Sequence, residues 1–254
     1  MRLEGVATFD ELVAEGASAP VDGWDFSWFE GRATEQRPSW GYAGLIASRM
    51  AAVESVVDVQ TGGGEVLNTV TKLPPRTAAT EGWPPSLAVA RRLLEPRGVE
   101  VVEAGNLDPL PFEDSSFELV VSRHPAEIRW DEIARVLRPG GSYLSQQVGS
   151  GSMHDLSQSM MGPLEIDDSR DPELAAHQAA EVGLELVTLK PESLRAEFHD
   201  IAAVVVFLRK VIWIVPGFTV DGYLPQLRAL HERIESEGPF VAHTKRFLIE
   251  VRKP

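Results

Sequence analysis

Short apolar runs bounded by Gly, Pro and polar clusters alternate along the chain with stretches whose apolar residues recur at helical spacing. Residues 55–59, 76–80, 99–103, 117–122, 142–148, 184–189 and 246–251 read as strands. Residues 65–72 read as a helix, and Pro84-Pro85-Ser86 opens another with Leu87, Val89, Ala90, Leu93 and Leu94 at helical spacing. A third helix over 130–137 is stopped by Pro139-Gly140-Gly141. Strand and helix in alternation imply a mostly parallel sheet covered on both faces. Sheets of this kind bind ligands beyond the carboxyl ends of their strands, so the residues directly after each early strand are where function is expected.

Composition narrows the classes. The 254 residues hold 38 acids against 24 bases, a formal charge of −14, with no basic footprint of the kind that nucleic-acid binders concentrate. The longest apolar run, residues 201–208, is far short of the roughly 18–20 residues that span a bilayer. The opening segment mixes Glu4, Asp10, Glu11 and Glu15 among its apolar residues, which is no signal-peptide core, so a cytoplasmic protein is expected. With no Cys, thiolate chemistry is excluded, and no His or carboxylate pair has metal-ligand spacing, so no metal is expected.

The acids Glu165, Asp167, Asp168, Asp171 and Glu173 mark a solvated loop or insertion at about 150–175. Residues 20–42 carry Trp24, Trp28, Trp40, Phe26, Phe29 and Tyr42, so residues 1–50 read as an aromatic arm, either a lid over a pocket or a packed segment. The remainder, 51–254, reads as one domain.

The chemistry concentrates after the first strand, where Val56-Val57-Asp58-Val59-Gln60-Thr61-Gly62-Gly63-Gly64-Glu65 places an acid at the strand end, then glycines, then a helix. Glycines there let the backbone turn at positive φ and approach a ligand closely. The second strand closes on Glu81, and the third is followed by Gly105-Asn106. A dinucleotide site fits less well, because counting from Gly62 puts Leu67 where the third glycine of that motif belongs. Phosphate-loop and hydrolase-elbow motifs are absent.

Five segments in order resemble the class I S-adenosylmethionine-dependent methyltransferases, particularly the small-molecule, ubiquinone-biosynthesis-like branch. Asp58–Gly64 matches the D-x-G-x-G-x-G loop, and Thr80-Glu81-Gly82-Trp83-Pro84 falls at the acidic end of the second strand. Gly105-Asn106-Leu107-Asp108-Pro109-Leu110-Pro111-Phe112 is similar to G-D-A-x-x-L-P-F, and residues 117–124 to F-D-L-V-x-S-x-x. Residues 133–141, Ile-Ala-Arg-Val-Leu-Arg-Pro-Gly-Gly, match the helix and turn before the fifth strand. The resemblance implies a doubly wound Rossmann-like sheet of seven strands, mostly parallel with a C-terminal antiparallel strand, and residues 51–254 as a methyltransferase domain. It implies S-adenosylmethionine as cofactor and a small-molecule acceptor, with a cofactor-binding protein lacking transferase activity, or an RNA methyltransferase, as alternatives.

By the same resemblance, Asp58, Gln60, Thr61, Gly62 and Gly64 bind the cofactor, Gly62 and Gly64 letting the loop pass close to its methionine part, and Glu81 accepts from the ribose hydroxyls. Gly82 and Trp83 flank the adenine, Asn106 and Leu107 meet its edge, and Ser122 and Arg123 line the mouth. Two positions depart from the pattern: Gln60 stands where the family has its first loop glycine, and Asn106 where it has an Asp. Methyl transfer needs an acceptor held in line, sometimes with a general base. His124, just past the fourth strand, and His199, beside Asp200, are the candidates. Trp213, Phe218 and Tyr223 are weaker candidates for an acceptor pocket, since periodic apolar faces usually pack inward.

Overall fold

A computed structural model describes residues 7–254 apart from 22 and 24. Its strands are β1 (Ala33–Glu35), β2 (Ser55–Asp58), β3 (Arg76–Glu81), β4 (Glu100–Glu103), β5 (Phe117–Arg123), β6 (Leu137–Val148), β7 (Glu185–Phe198) and β8 (Phe240–Arg252). Their hydrogen-bonded order is β1-β7-β8-β6-β5-β2-β3-β4. The described residues thus form eight strands rather than the seven expected. The extra strand, β1, has three residues and pairs antiparallel with the end of β7, Ala33 opposite Phe198. Only that pairing makes it a strand, since Ala-Thr-Glu carries no strand signal of its own.

The helices are α1 (Phe9–Ser18), α2 (Tyr42–Met50), α3 (Glu65–Asn68), α4 (Pro84–Leu94), α5 (Trp130–Val136), α6 (His154–Met161), α7 (Pro172–Glu181), α8 (Ile201–Lys210) and α9 (Leu224–Glu237). Two compact units emerge. One comprises Pro38–Ser150, Asp168–Glu192 and Arg246–Pro254; the other comprises the described residues up to Arg37 with Gly151–Asp167 and Ser193–Lys245.

In the first unit, β2 pairs parallel with both β3 and β5, β3 with β4 and β5 with β6, while β8 runs antiparallel to β6. Side chains alternate across the sheet. Val56, Ala79, Leu119, Val121, Leu144 and Leu248 face one apolar layer, built with Ile46 and Met50 of α2 and Leu87, Ala90 and Leu94 of α4. Val57, Ala78, Val120, Tyr143, Phe247 and Ile249 face the other, with Trp130, Ile133 and Val136 of α5 and Ala175 and Ala179 of α7. Burial on both faces explains why these strands read as continuous apolar runs. The expected helix over 65–72 is shorter, α3 ending at Asn68. The Pro-Gly-Gly that ends α5 lies within the opening residues of β6.

The second unit is built on α8, whose residues 201–206 and Leu208 are all buried. A helix apolar all round must be enclosed, and α1, α6 and α9 supply residues to the same core. Asp200 caps it through Oδ1, accepting from the Ala203 N–H (2.8 Å). A methyl on Gly16 of α1 would lie 2.9 Å from both the Ala202 carbonyl oxygen and Val205 Cβ, so the helices meet there backbone to side chain. Glu165, Asp167, Asp168 and Glu173 are exposed, and Asp171 caps α7 by accepting from the Glu173 and Leu174 N–H groups. Among the described residues no helix is long and apolar enough to cross a membrane.

Trp28 and Phe29 belong to the second unit, where their rings meet edge-on at 5.6 Å. Trp40 and Tyr42 belong to the first, and Trp24 lies outside the described residues.

Candidate functional site

Strand β2 has β3 on one side and β5 on the other, so chain connections diverge between β2 and β5. That switch point is where an open α/β sheet leaves a crevice at its carboxyl edge. A cleft lies there, bordered by Gln60, Thr80, Gly105, Asn106, Pro125 and Arg129 among others.

The turn after β2 is set by hydrogen bonds to β3. Thr61 N–H donates to the Thr80 carbonyl (2.9 Å), and Gln60 N–H to Thr80 Oγ1 (3.2 Å). Gly62 N–H donates to Glu81 Oε2 (2.8 Å). Glu81 Oε1 accepts from the N–H groups of Gly82 (3.0 Å) and Trp83 (2.8 Å). The carboxylate is 8% exposed and thus spends three hydrogen bonds on backbone at two strand ends. Gly62 and Gly64 have φ of 64° and 81°. A methyl on Gly62 would meet nothing within 4 Å, whereas one on Gly64 would strike Leu94 at 2.6 Å. Gly62 therefore faces open space and Gly64 is needed for packing.

Asp58, at the end of β2, accepts from Thr61 Oγ1 at 2.6 Å. Burial pushes its carboxyl up to about 7; the Thr61 hydrogen bond opposes this and the nearby Glu81 charge reinforces it.

Gln60 has a left-handed backbone, with φ 57°. Its side chain reaches across to the segment after β5. Nε2 donates to the Glu127 carbonyl (2.6 Å), and Oε1 accepts from the Ala126 N–H (2.7 Å). The neighbouring Arg129 donates through Nη1 to the Leu107 carbonyl (2.7 Å). Arg170 donates through Nη2 to the Ala126 carbonyl (2.9 Å).

On the β3 and β4 side, a methyl on Gly82 would lie 2.7 Å from the Ala104 carbonyl oxygen, so glycine allows the two strand ends to meet. Asn106 is exposed, and Trp83 and Leu107 present 52% and 68% of their surface. Gly105 N–H donates to Asp108 Oδ2 (2.8 Å), which shapes that turn.

At the end of β5, Ser122 is buried and borders the cleft. Its Oγ lies 2.7 Å from Tyr143 Oη and 2.9 Å from Ser145 Oγ, and its carbonyl accepts from Tyr42 Oη (2.7 Å). Arg123 is exposed. His124 has φ 54°, and its Nε2 lies 2.8 Å from Gln146 Nε2. Trp40 Nε1 donates to Gln146 Oε1 at 2.8 Å. An indole N–H only donates, so the Gln146 oxygen faces Trp40 and its amide N–H faces His124, whose Nε2 must be an unprotonated acceptor. Burial, then the charges of Arg123 and Arg246, hold the imidazole down to about 3. It is neutral, with its proton on Nδ1.

The structure thus gathers Asp58, Gln60, Thr61, Gly62, Gly64, Glu81, Gly82, Trp83, Asn106, Leu107, Ser122, Arg123 and His124 at neighbouring strand ends of one unit. His199 lies in the other unit, its N–H donating to the Arg32 carbonyl (2.8 Å) and its Nε2 3.8 Å from Glu197 Oε2. Trp213, Phe218 and Tyr223 share that unit, Phe218 and Tyr223 with ring centres 5.4 Å apart. Sequence reasoning missed Gln146, Arg129 and Arg170. A signal for Gln146 existed: in the parallel β5 and β6 register it stands beside Arg123. Among the described residues no group of three or more His, Asp or Glu is placed to hold a metal ion.

Residues 57–145 match the family model described as a methyltransferase domain. No curated protein matches the chain. Among solved structures, a provisionally designated methyltransferase from Bacillus halodurans C-125 shares 22% identity, covering 84% of this chain and 100% of its own, at a TM-score of 0.58. The YcgJ protein from Bacillus subtilis shares 18%, over 83% and 97%, at 0.59. A geranyl diphosphate methyltransferase solved with S-adenosylmethionine shares 13%, over 84% of each chain, at 0.52. At these identities the likeness is one of fold.

Proposed function

We propose that the chain transfers a methyl group from S-adenosylmethionine to a small-molecule acceptor, a reading supported by the match of residues 57–145 to a methyltransferase-domain model. The observation that carries this reading is Glu81: a buried carboxylate at the second parallel strand's end, hydrogen-bonded to the turn after the first. Its Oε2 accepts one N–H and keeps a lone pair for a sugar hydroxyl.

The residues fit the cofactor. Space is open beside Gly62, and Trp83 and Leu107 offer exposed apolar surface beside the Gly82 turn. Asn106 presents both an acceptor and a donor for an adenine edge. S-adenosylmethionine supplies a methyl group on a sulfonium sulfur, already activated for displacement. The chain's part is to hold the two reactants in line and to exclude water. Arg123 and His124, at the end of β5, are the residues proposed to meet the acceptor. His124 offers its Nδ1–H as a donor, while its Nε2 lone pair is committed to Gln146. The resemblance to the ubiquinone-biosynthesis-like branch and the charge of −14 support a small molecule over a nucleic acid.

Calorimetric titration with S-adenosylmethionine and with S-adenosylhomocysteine tests the cofactor, and turnover against metabolite mixtures then identifies the acceptor. Binding of neither compound at millimolar concentration would refute the proposal.

A further inference from the structure

We propose that Gln60 is a positioning residue that latches the wall of the cofactor cleft, and that its two side-chain hydrogen bonds must open for the cofactor to be admitted. The inference rests on the cofactor reading above but concerns a residue in which this chain departs from the family pattern.

At φ 57° a glycine would sit without steric cost, whereas an L-residue with a side chain is strained there. Gln60 carries that strain and spends both ends of its amide on one target. Oε1 takes the Ala126 N–H and Nε2 gives to the Glu127 carbonyl, so the side chain adds one rung of a ladder to a peptide 66 residues away. The gripped segment is itself cleft wall: Pro125, Glu127, Ile128 and Arg129 all border the cavity, as does Gln60. Its other fastenings lie elsewhere, Arg129 to the Leu107 carbonyl and Arg170 to the Ala126 carbonyl. Among the described residues, the hydrogen bonds that join the segment to the glycine turn are those of Gln60. Of the four described residues other than glycine with positive φ, two, Gln60 and His124, stand at the two ends of this junction. Backbone held at positive φ in residues other than glycine is enriched at functional sites.

The test compares wild type with Gln60→Gly, which keeps the backbone angle and removes the latch, and with Gln60→Glu. The glutamate retains the acceptor for Ala126 but sets a carboxylate oxygen against the Glu127 carbonyl. Amide hydrogen exchange is read first, without ligand. Exchange at Ala126 is expected to quicken by about tenfold, the factor carried by one net hydrogen bond, in Gln60→Gly. Stopped-flow tryptophan fluorescence then measures association of S-adenosylhomocysteine, expected to be faster in both variants by a similar factor. Unchanged exchange at Ala126 would show that no latch exists. Quickened exchange with association rates within twofold of wild type would show that the latch does not govern admission. Failure of the wild type itself to bind would strike the cofactor reading instead, and the exchange at Ala126 would still decide whether the latch exists.

Discussion

Glu81 Oε2 accepts the Gly62 N–H at 2.8 Å, so the carboxylate that ends β3 holds the glycine turn that leaves β2. One side chain thereby ties the turn after β2 to the residues that follow β3. Glu81→Ala removes the partner of three backbone N–H groups. It is expected to weaken cofactor binding by about 1–3 kcal/mol and to lower stability by a similar amount. Titration calorimetry and urea unfolding check the pair; a loss of stability with undiminished affinity would remove Glu81 from the cofactor site.

Asp58 links stability to pH with a definite sign. Its folded value of about 7 exceeds the unfolded value of 3.8, so between roughly pH 4 and 7 the folded state holds the extra proton. Stability contributed by this group is present at low pH and lost as pH rises towards 7, by up to about 4 kcal/mol. Asp58→Asn should flatten that part of the stability profile, as urea midpoints at pH 5 and pH 8 will show.

His124 acts with the opposite sign. Its folded value of about 3 lies below the ordinary 6.5, so the unfolded chain takes up a proton that the folded chain refuses. This group therefore costs stability as pH falls below about 6.5. Between pH 4 and 6.5 it works against Asp58. Nitrogen NMR of the imidazole should show a neutral ring protonated on Nδ1 throughout pH 5–8. A titration near 6.5 would break the Trp40, Gln146, His124 chain of hydrogen bonds inferred from the geometry.

Gly16→Ala gives a test whose direction alone is informative. In an exposed helix this change stabilises by about 1 kcal/mol. Here the new methyl would press on the Ala202 carbonyl and Val205 Cβ, each 2.9 Å away, and a loss of about 1–3 kcal/mol is expected. A thermal midpoint that rises would show that α1 lies farther from α8.

Much of the sheet was legible because parallel strands buried on both faces must be apolar, as Val56, Val57, Val120 and Val121 are. β1 was not, since its pairing with Phe198 is made by backbone and not by residue type. β7 and β8 extend beyond their apolar runs, over Lys190-Pro191-Glu192 and over Phe240–Lys245, where pairing again outlasts composition. The glycine turn and Glu81 were readable from order and spacing. Gln60's role was hidden because its partners are an amide and a carbonyl, which every residue possesses, 66 and 67 positions away. Ser122, expected at the mouth, borders the cleft from a buried position, its hydroxyl beside those of Tyr143 and Ser145 of β6.

The three N–H groups gathered on Glu81 have one more consequence. A turn fixed by its own neighbours is already rigid before any guest arrives, so the entropy of ordering it falls on folding and not on association. Binding at this end of the cleft should then resemble docking onto a preformed surface, and whatever induced movement accompanies it is confined to the segment beyond β5.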